Sequence, residues 1–554
     1  MFSQDVTLET EKYPTNYFRA PLDIPMLLSG TFGELRSNHF HAGLDIKTQQ
    51  REGFKVYASA EGYVSRIKIS LWGYGKAIYI THPNGYTTVY AHLKKFSPKI
   101  EDFVKKIQYE KENYEIEVFL SPNDLPIADN EIIAYSGSTG GFVGPHLHFE
   151  IRDSKTEKTI NPMLFGIDIN DTKKPTITTL MAYTLEKSSH INQTNIPTQL
   201  AFKTLPNGDF ISDKIQAYGK IGFGINAYDQ LDDAYNKNGL YSLEMFVNSE
   251  KIHDFKANSF SFAETRYINL LIDYERYANL NQRIQKCFIE PLNKLSMYDD
   301  VANGNITIKD SLNYKVEIIA KDFKGNSQKL IIPIVGKKDS LKVVKQELIT
   351  PYPIQYNISQ KYSLNGVTVS FPSYTFYNDF YLDFKVKDSI AHIHTPTLPL
   401  HKNYTITFDI SKYDSFTKDH LYIASIDKKG RTDYERTRRN NNSLYTSTKN
   451  LGDYTLLADF KEPVISLHNF KNEQWISNLN TLRVKIADLE SGIKSFRGEI
   501  DGQWILMEYN LKNGTLNYNL NDKTFTEAKH QLKVTVTDKV GNTNTLNAVF
   551  YRKK

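Results

Sequence analysis

The 554 residues exceed what one hydrophobic core can serve, so the chain is expected to fold into several domains. Its 68 Lys and Arg residues nearly balance 63 Asp and Glu residues, and since no long basic run accompanies the net charge of +5, nucleic acid is excluded as an expected partner. The single cysteine, Cys287, excludes an intrachain disulfide and is interpreted as a small buried side chain.

Residues 1–170 are expected to form one domain of short antiparallel strands connected by Gly-rich turns. Alternating residues at 77–81 and 86–90 flank a Pro-Asn-Gly turn, which predicts a β-hairpin. One helix is predicted, with Ser97 as its N-cap and Pro98 in its first turn. The predicted buried face of this helix consists of Ile100, Phe103, Val104 and Ile107.

The amino-acid sequence beyond residue 173 predicts β structure throughout. An alternating strand followed by an Asp-x-x-Gly turn recurs at 316–325, 423–430 and 532–541. In such a turn the Asp side chain can accept backbone hydrogen bonds and the Gly can adopt a positive φ. The repeat is typical of the closing hairpins of bacterial immunoglobulin-like (Ig-like) sandwiches, and the first predicted module is long for one sandwich, so it is elaborated or split. The three predicted β-sandwich modules are 174–337, 338–458 and 459–554.

Two segments of the first domain carry metal-binding side chains at short spacing. His146 and His148 are two apart in a predicted strand, so both imidazoles face one side of the sheet. They could bind one metal together, or one could bind while the other acts on substrate. His41 and Asp45 are four apart, and we expect an extended chain there, with Gly43 leaving space between them, because Gly inside a helix costs about 1 kcal/mol.

Two imidazoles and one carboxylate make three protein ligands for one ion. Zinc prefers nitrogen and oxygen donors in tetrahedral geometry, and a catalytic zinc keeps its fourth position for water. Calcium takes many oxygen ligands, and copper and nickel are disfavoured by availability. The sequence therefore predicts one catalytic zinc ion. The remaining histidines considered, His39, His82, His392 and His394, are interpreted as surface or hydrogen-bonded core residues.

The order of these motifs resembles that of the lysostaphin/LytM-type zinc endopeptidases. The resemblance covers residues 29–166, under a third of the chain, and implies that His41, Asp45 and His148 bind zinc. It also implies that His92 and His146 are the two catalytic histidines. The motifs that carry it are Gly43-Leu44-Asp45-Ile46, Tyr90-Ala91-His92-Leu93, Ser136-Gly137-Ser138-Thr139-Gly140 and His146-Leu147-His148-Phe149-Glu150.

By this resemblance, one of the two catalytic histidines would transfer the proton and the other would stabilise the developing negative charge. We assign His146 as the general base and His92 to the developing oxyanion, with the reverse assignment open. Gly137, Gly140 and Gly144 are predicted to let a peptide backbone approach closely. An insert at 97–130, absent from the compact family pattern, is expected to wall or cover the substrate groove.

The predicted function is cleavage of peptide bonds in bacterial peptidoglycan. Alternatives are a non-catalytic wall-binding regulator and a metalloprotease that acts on proteins. Residues 1–10 lack an apolar export segment and no apolar run reaches the roughly 20 residues of a membrane span, so a periplasmic, envelope or secreted location implies a signal removed or left out. The C-terminal modules could bind glycan, bind an envelope protein or act as spacers.

Overall fold

The computed structural model describes residues 13–141, 144–299 and 302–553, and these residues are mostly β, as predicted. No described helix is both long enough and apolar enough to cross a bilayer. The helices are α1 (Pro98–Lys111), α2 (Ile268–Leu271), α3 (Tyr274–Leu280) and α4 (Ser415–His420), with single 3-10 turns at Pro162–Phe165 and Thr265–Tyr267.

The N-terminal domain is built on a twisted antiparallel sheet with a small second sheet beside it. Its strands are β1 (Leu28–Gly30), β2 (Leu44–Lys47), β3 (Lys55–Tyr57), β4 (Gly62–Ile69), β5 (Lys76–Thr81), β6 (Tyr86–Ala91), β7 (Leu93–Phe96), β8 (Ile116–Phe119), β9 (Pro126–Ile127), β10 (Ile132–Ser136), β11 (His146–Asp153) and β12 (Thr159–Ile160). The main sheet has the order β1-β2-β11-β6-β5-β4-β8, and the second has the order β3-β10-β7. The predicted hairpin is confirmed as β5 and β6.

The register of β11 determines where the candidate site forms. His148 lies opposite Asp45 of β2 on one side and opposite Ala91 of β6 on the other. His92 follows Ala91 directly, so three segments that are far apart in sequence meet at one point on the sheet. Alternation along β11 then places His146 and His148 on the same face.

Helix α1 begins where the sequence predicts, with Ile100 and Val104 buried against the domain. Ser97 occupies the N-cap position, but its hydroxyl makes no capping hydrogen bond. The carboxylate of Glu101 instead accepts a hydrogen bond from the Phe96 backbone N–H at 2.9 Å. A side chain in the first turn therefore links the N-terminal end of α1 to β7.

The first β module continues the N-terminal domain rather than standing apart from it. Its β21 pairs with β12, and buried side chains of both regions form one hydrophobic cluster. Its strands are β13 (Thr176–Thr184), β14 (His190–Ile191), β15 (Thr198–Leu200), β16 (Phe202–Thr204), β17 (Phe210–Ser212), β18 (Ile215–Tyr228), β19 (Ser242–Val247), β20 (Glu250–Lys256), β21 (Ser259–Phe260), β22 (Gln285–Lys286), β23 (Ile306–Ile308), β24 (Asn313–Lys321) and β25 (Ser327–Gly336).

The middle module is a sandwich of two five-stranded sheets that share one core. Val369 and Ile406 of one sheet pack in the same cluster as Ile393 and Ile423 of the other. Its strands are β26 (Pro353–Ile354), β27 (Gln360–Leu364), β28 (Val367–Phe371), β29 (Phe380–Tyr381), β30 (Phe384–Lys387), β31 (Ile390–Ile393), β32 (Tyr404–Asp409), β33 (Leu421–Ile426), β34 (Thr432–Tyr434), β35 (Arg438–Asn440), β36 (Ser443–Thr448) and β37 (Gly452–Ala458).

The C-terminal module is a second sandwich, of a four-stranded and a five-stranded sheet around its own core. The predicted Asp-x-x-Gly turn is confirmed here, because Asp538 Oδ1 accepts hydrogen bonds from the N–H groups of Val540, Gly541 and Asn542, and Gly541 has a φ of 117°. Its strands are β38 (Val464–Leu467), β39 (Gln474–Trp475), β40 (Thr481–Ala487), β41 (Ile493–Ile500), β42 (Gln503–Trp504), β43 (Met507–Asn510), β44 (Thr515–Asn519), β45 (Lys529–Asp538) and β46 (Thr543–Tyr551).

Candidate metal centre and catalytic groove

Three side chains predicted as metal ligands converge at the β2–β11 pair. His41 Nε2 lies 3.0 Å from Asp45 Oδ1, His148 Nδ1 lies 2.8 Å from the same oxygen, and the two ring nitrogens are 3.1 Å apart. Ligands bound tetrahedrally to one ion at about 2.0–2.1 Å would be roughly 3.3 Å apart. The donor set and its spacing therefore fit one small divalent cation.

Each of the two histidine ligands is oriented by a hydrogen bond from its other ring nitrogen. His41 Nδ1–H donates to the Thr31 carbonyl at 2.8 Å, and His148 Nε2–H donates to Glu150 Oε1 at 2.8 Å. Such partners fix the tautomer that leaves the opposite nitrogen free for a metal. The sequence reasoning gave neither Thr31 nor Glu150 a role, although Glu150 follows His148 by two residues on the same face of β11.

The Glu150 carboxylate is itself held in a buried network. It accepts hydrogen bonds from the Tyr74 hydroxyl and from Arg152 Nε, the latter at 2.7 Å. Burial opposes ionisation, but the charge of Arg152 and the hydrogen bonds from His148 and Arg152 lower the pKa of Glu150 to about 2. The carboxylate is therefore ionised over the whole physiological range, as a histidine-orienting group requires.

The structure explains the glycine at position 43 differently from the sequence-based prediction. A Cβ at this position would lie 2.2 Å from the Phe149 carbonyl oxygen and 2.8 Å from Glu150 Cγ. Glycine is required because β11 passes directly over the backbone there, rather than because a side chain would separate His41 from Asp45. His41 itself lies in the loop before β2, not in the strand.

His92 and His146 lie beside the three candidate ligands with their rings 4.6 Å apart. His92 Nδ1–H donates to the Thr139 carbonyl at 2.9 Å, and His146 Nδ1–H donates to the Gly144 carbonyl at 2.8 Å. Both hydrogen bonds leave Nε2 as the available lone pair. His146 Nε2 lies 3.7 Å from Asp45 Oδ1, on the side where the ligand atoms converge.

Both of these histidines are held neutral. Burial, together with neighbouring His148 and His146, lowers the pKa of His92 to about 3, and burial also lowers the pKa of His146. The backbone of His92 has a φ of 58°, an uncommon conformation for a residue other than Gly, Asn or Asp, which the surrounding structure must impose. A neutral imidazole with an oriented lone pair is suited to accept a proton.

The three predicted substrate-binding glycines differ in their surroundings. A Cβ at Gly137 would lie 2.4 Å from Lys94 N, and one at Gly140, whose φ is 86°, would lie 2.2 Å from the Gly73 carbonyl oxygen. Both glycines are thus required by close approach of other backbone segments of the domain. A Cβ at Gly144 would have no described atom within 4 Å.

The first β module supports the loop that carries His41. The Phe40 N–H donates to Thr265 Oγ1 at 2.9 Å, and the Gly239 N–H donates to Thr31 Oγ1 at 3.2 Å. Both contacts join residues more than 200 positions apart in sequence. Periodicity and motif spacing contain no signal for such contacts.

His82, His392 and Cys287 lie outside the candidate centre. His82 is buried between the Glu61 carbonyl and the Thr88 hydroxyl, and His392 Nδ1 lies 2.6 Å from Asp453 Oδ1. Cys287 is fully buried, and burial raises the pKa of its thiol.

Among the described residues, two carboxylate triads lie outside the candidate centre, and the sequence did not lead us to predict them. In each triad the carboxylate oxygens lie within 4.8 Å of one another. Their Asp-x-x-Gly members, Asp322 and Asp538, were read only as turn residues, and the shared repeat was the signal that could have found both triads. The triads are Asp171–Asp229–Asp322 and Asp459–Asp488–Asp538.

Comparisons with known families match two parts of the chain. Residues 39–109 match Peptidase family M23, and residues 351–459 match the Zu5-like domain. The catalytic domain of lysostaphin from Staphylococcus simulans is similar at 21% identity, covering 30% of this chain and 98% of that domain with a TM-score of 0.17.

Curated relatives match the same N-terminal region. The DD-carboxypeptidase/endopeptidase Mpg of Neisseria meningitidis serogroup B (strain MC58) is 36% identical over 118 residues, 21% of each chain. An uncharacterized metalloprotease of Haemophilus influenzae is 32% identical over 123 residues, 22% of this chain and 20% of the relative. The matched segment thus spans about a fifth of either relative. Residues 39–109 of this chain therefore match a peptidase M23 domain, and the predicted resemblance to the lysostaphin/LytM-type peptidases is confirmed for this region.

Proposed function

We propose that the protein is a zinc-dependent endopeptidase that cleaves peptide bonds in the stem peptides or cross-links of bacterial peptidoglycan. The observation that carries this proposal is the convergence of His41 Nε2, Asp45 Oδ1 and His148 Nδ1 beside two neutral histidines. The names of the relatives, which include a carboxypeptidase/endopeptidase and a cell division protein, support a cell-wall substrate.

The proposed cofactor is one zinc ion held by His41, Asp45 and His148. Two nitrogen donors and one oxygen donor, with Thr31 and Glu150 orienting the imidazoles, form a typical catalytic zinc set. A zinc ion bound there would lower the pKa of a water molecule and polarise the scissile carbonyl.

The proposed roles of the two remaining histidines follow from their hydrogen bonds. His146 accepts a proton from the attacking water through Nε2 and passes it to the leaving amine, and its pKa, lowered by burial, keeps the ring neutral beforehand. His92 lies beside the developing oxyanion, held by the Thr139 carbonyl. The backbone around Gly137, Gly140 and Gly144 is proposed to line the path of the substrate peptide.

The proposal also covers the division into domains, the location and the partner. We divide the chain into a peptidase domain at 1–170 and modules at 174–337, 338–458 and 459–554, the last of them Ig-like. The proposed place of action is the periplasm or cell envelope, or outside the cell, where the wall substrate is found. An envelope protein is the proposed partner of a C-terminal module.

The decisive experiment is mass spectrometry of the muropeptides released from purified sacculi. The wild-type protein is expected to release peptides with newly cleaved bonds, while His146→Ala retains zinc and loses about 100-fold or more in turnover. His148→Ala is expected to lose zinc as well. Zinc binding without any released product would instead support a regulator, and equal zinc loss in both variants would overturn the role assignment.

A further inference from the structure

The C-terminal module, the part of the chain most distant in sequence, lies directly against the peptidase domain. Trp504 packs edge-on against Tyr109 of α1, with ring centroids 5.2 Å apart. Two ion pairs flank this contact, Lys105 Nζ–Asp522 Oδ1 at 2.8 Å and Arg497 Nη1–Glu112 Oε2 at 2.7 Å. The predicted insert therefore serves as the docking surface for this module, because α1 and its C-cap residue Glu112 carry all three contacts.

The hairpin formed by β43 and β44, residues 507–519, reaches further and contacts the catalytic segment. Lys512 Nζ donates to the Ser138 carbonyl at 3.2 Å and lies 3.1 Å from the Ser138 hydroxyl. Glu508 Oε1 lies 2.9 Å from Lys76 Nζ, which is buried. The Lys76 backbone N–H in turn donates to Thr139 Oγ1 at 3.0 Å.

These contacts hold the N-terminal side of the peptide unit that orients His92. The Thr139 carbonyl accepts the His92 Nδ1–H bond, and it follows directly after the Ser138 carbonyl, bound by Lys512, and the Thr139 side chain, bound to β5. A shift of this carbonyl would turn the His92 ring. The hairpin is thus linked to a catalytic side chain by two short chains of hydrogen bonds.

A cavity of about 230 Å³ lies between the hairpin and the same catalytic segment. Its walls include Glu52, Lys94 and Gly141 from the peptidase domain and Asn510 and Lys512 from the hairpin. Sites for complete drug-sized ligands occupy roughly 300–1,000 Å³, so this cavity suits one part of a longer molecule. Its carboxylate, ammonium and amide groups complement a polar peptide segment rather than an apolar one.

We propose that the 507–519 hairpin completes the substrate groove, forming with residues 138–141 a subsite for a polar peptide segment that carries free carboxylate and amino groups. Lys512 and Glu508 act as positioning residues for His92 in this arrangement. The subsite rests on the proposed peptidase function, whereas the positioning contacts can be measured without any substrate.

The first test measures hydrogen–deuterium exchange at residues 136–141 in the full-length protein. Lys512→Met is expected to raise exchange there about tenfold and to lower kcat about tenfold with zinc content unchanged, because misplacing a catalytic group by about 1 Å can cost 100-fold. Lys512→Arg restores both, and Lys529→Met, an exposed lysine of the same module, changes neither. Unchanged exchange in Lys512→Met would overturn the positioning role.

The second test fills the cavity from the peptidase side. A Cβ at Gly141 would have no described atom within 4 Å, so the series Gly141→Ala, Gly141→Leu and Gly141→Trp adds bulk stepwise. KM for soluble muropeptides is expected to rise with side-chain size, about tenfold for Trp, with kcat nearly constant. A KM independent of size would overturn the subsite.

The two tests separate this inference from the proposed function. If the wild-type protein cleaves no muropeptide, the proposed function fails, while exchange at 136–141 still decides the positioning role. In that case calorimetric affinity for the same muropeptides, measured on the Gly141 series, replaces KM. Loss of affinity with added bulk supports the subsite, and constant affinity overturns it.

Discussion

The middle and C-terminal modules are both β sandwiches, yet in the part of the chain that the structure describes only the C-terminal module contacts the segment beside the candidate site. The middle module contacts the first module through Arg266 Nε, which donates to the Leu400 carbonyl at 3.0 Å, and through Tyr267 stacked on His401. The C-terminal module instead contacts Ser138, next to the residue that orients His92. Distance along the sequence is therefore a poor guide to distance from the chemistry.

The largest expected effect comes from removing the aromatic anchor of the C-terminal module. Trp504 is 8% exposed against α1, whereas Trp475 of the same module is 56% exposed. Trp504→Ala is expected to cost about 3 kcal/mol and to lower muropeptide turnover, since burial is lost and the hairpin is released. Trp475→Ala should cost less than about 1 kcal/mol. Calorimetric melting of both variants measures this difference. Equal shifts in Tm would contradict this docking mode.

A smaller effect is expected from the ion pair beneath the hairpin. Glu508→Gln leaves the Lys76 ammonium buried at 5% exposure without its carboxylate partner, which should cost about 1–3 kcal/mol in urea unfolding. The matched change in the middle module, Asp453→Asn, breaks the partly exposed pair with His392 and should cost less than about 1 kcal/mol. If Glu508→Gln and Asp453→Asn lower the free energy of unfolding equally, the proposed difference between the two modules is wrong.

The first module offers a third test, because it supports the loop that carries the candidate ligand His41 rather than the segment that orients His92. Thr265→Val removes the acceptor of the Phe40 N–H and should cost about 1 kcal/mol while weakening zinc retention against a chelator. Thr178→Val, at an exposed position of the same module, serves as the control. Zinc retention that is identical in both variants would show that this contact is only structural.

The smallest effect concerns the junction between the peptidase domain and the first module. Burial and the neighbouring Asp171 and Asp322 raise the pKa of Asp229 to about 8. The folded state then binds more protons than the unfolded state between about pH 4 and 8, so stability falls as pH rises through this window. Asp229→Asn should raise Tm by a few degrees at pH 8 and little at pH 4, measured in EDTA. A difference in Tm between Asp229→Asn and wild type that does not change with pH would contradict repulsion between Asp229 and its two neighbouring carboxylates.

The sequence predicted the β class, the hairpin at β5 and β6 and the start of α1, because these depend on local periodicity and turn chemistry. It also predicted the residues of the candidate site, because a strand spaces His146 and His148 and the motif order resembles a known family. It could not predict Thr31, Thr265 or Lys512 as supporting residues. Their contacts depend on the packing of modules, which single-sequence patterns do not encode.

The return of the C-terminal hairpin to Ser138 also determines when the groove becomes complete. Domains generally fold from the N-terminus onward as the chain is synthesised. Residues 41, 45 and 148 can therefore meet hundreds of residues before the hairpin exists to join them. A newborn chain would bring these three side chains together early and acquire an ordered cleft only after residues 507–519 have been synthesised and have folded.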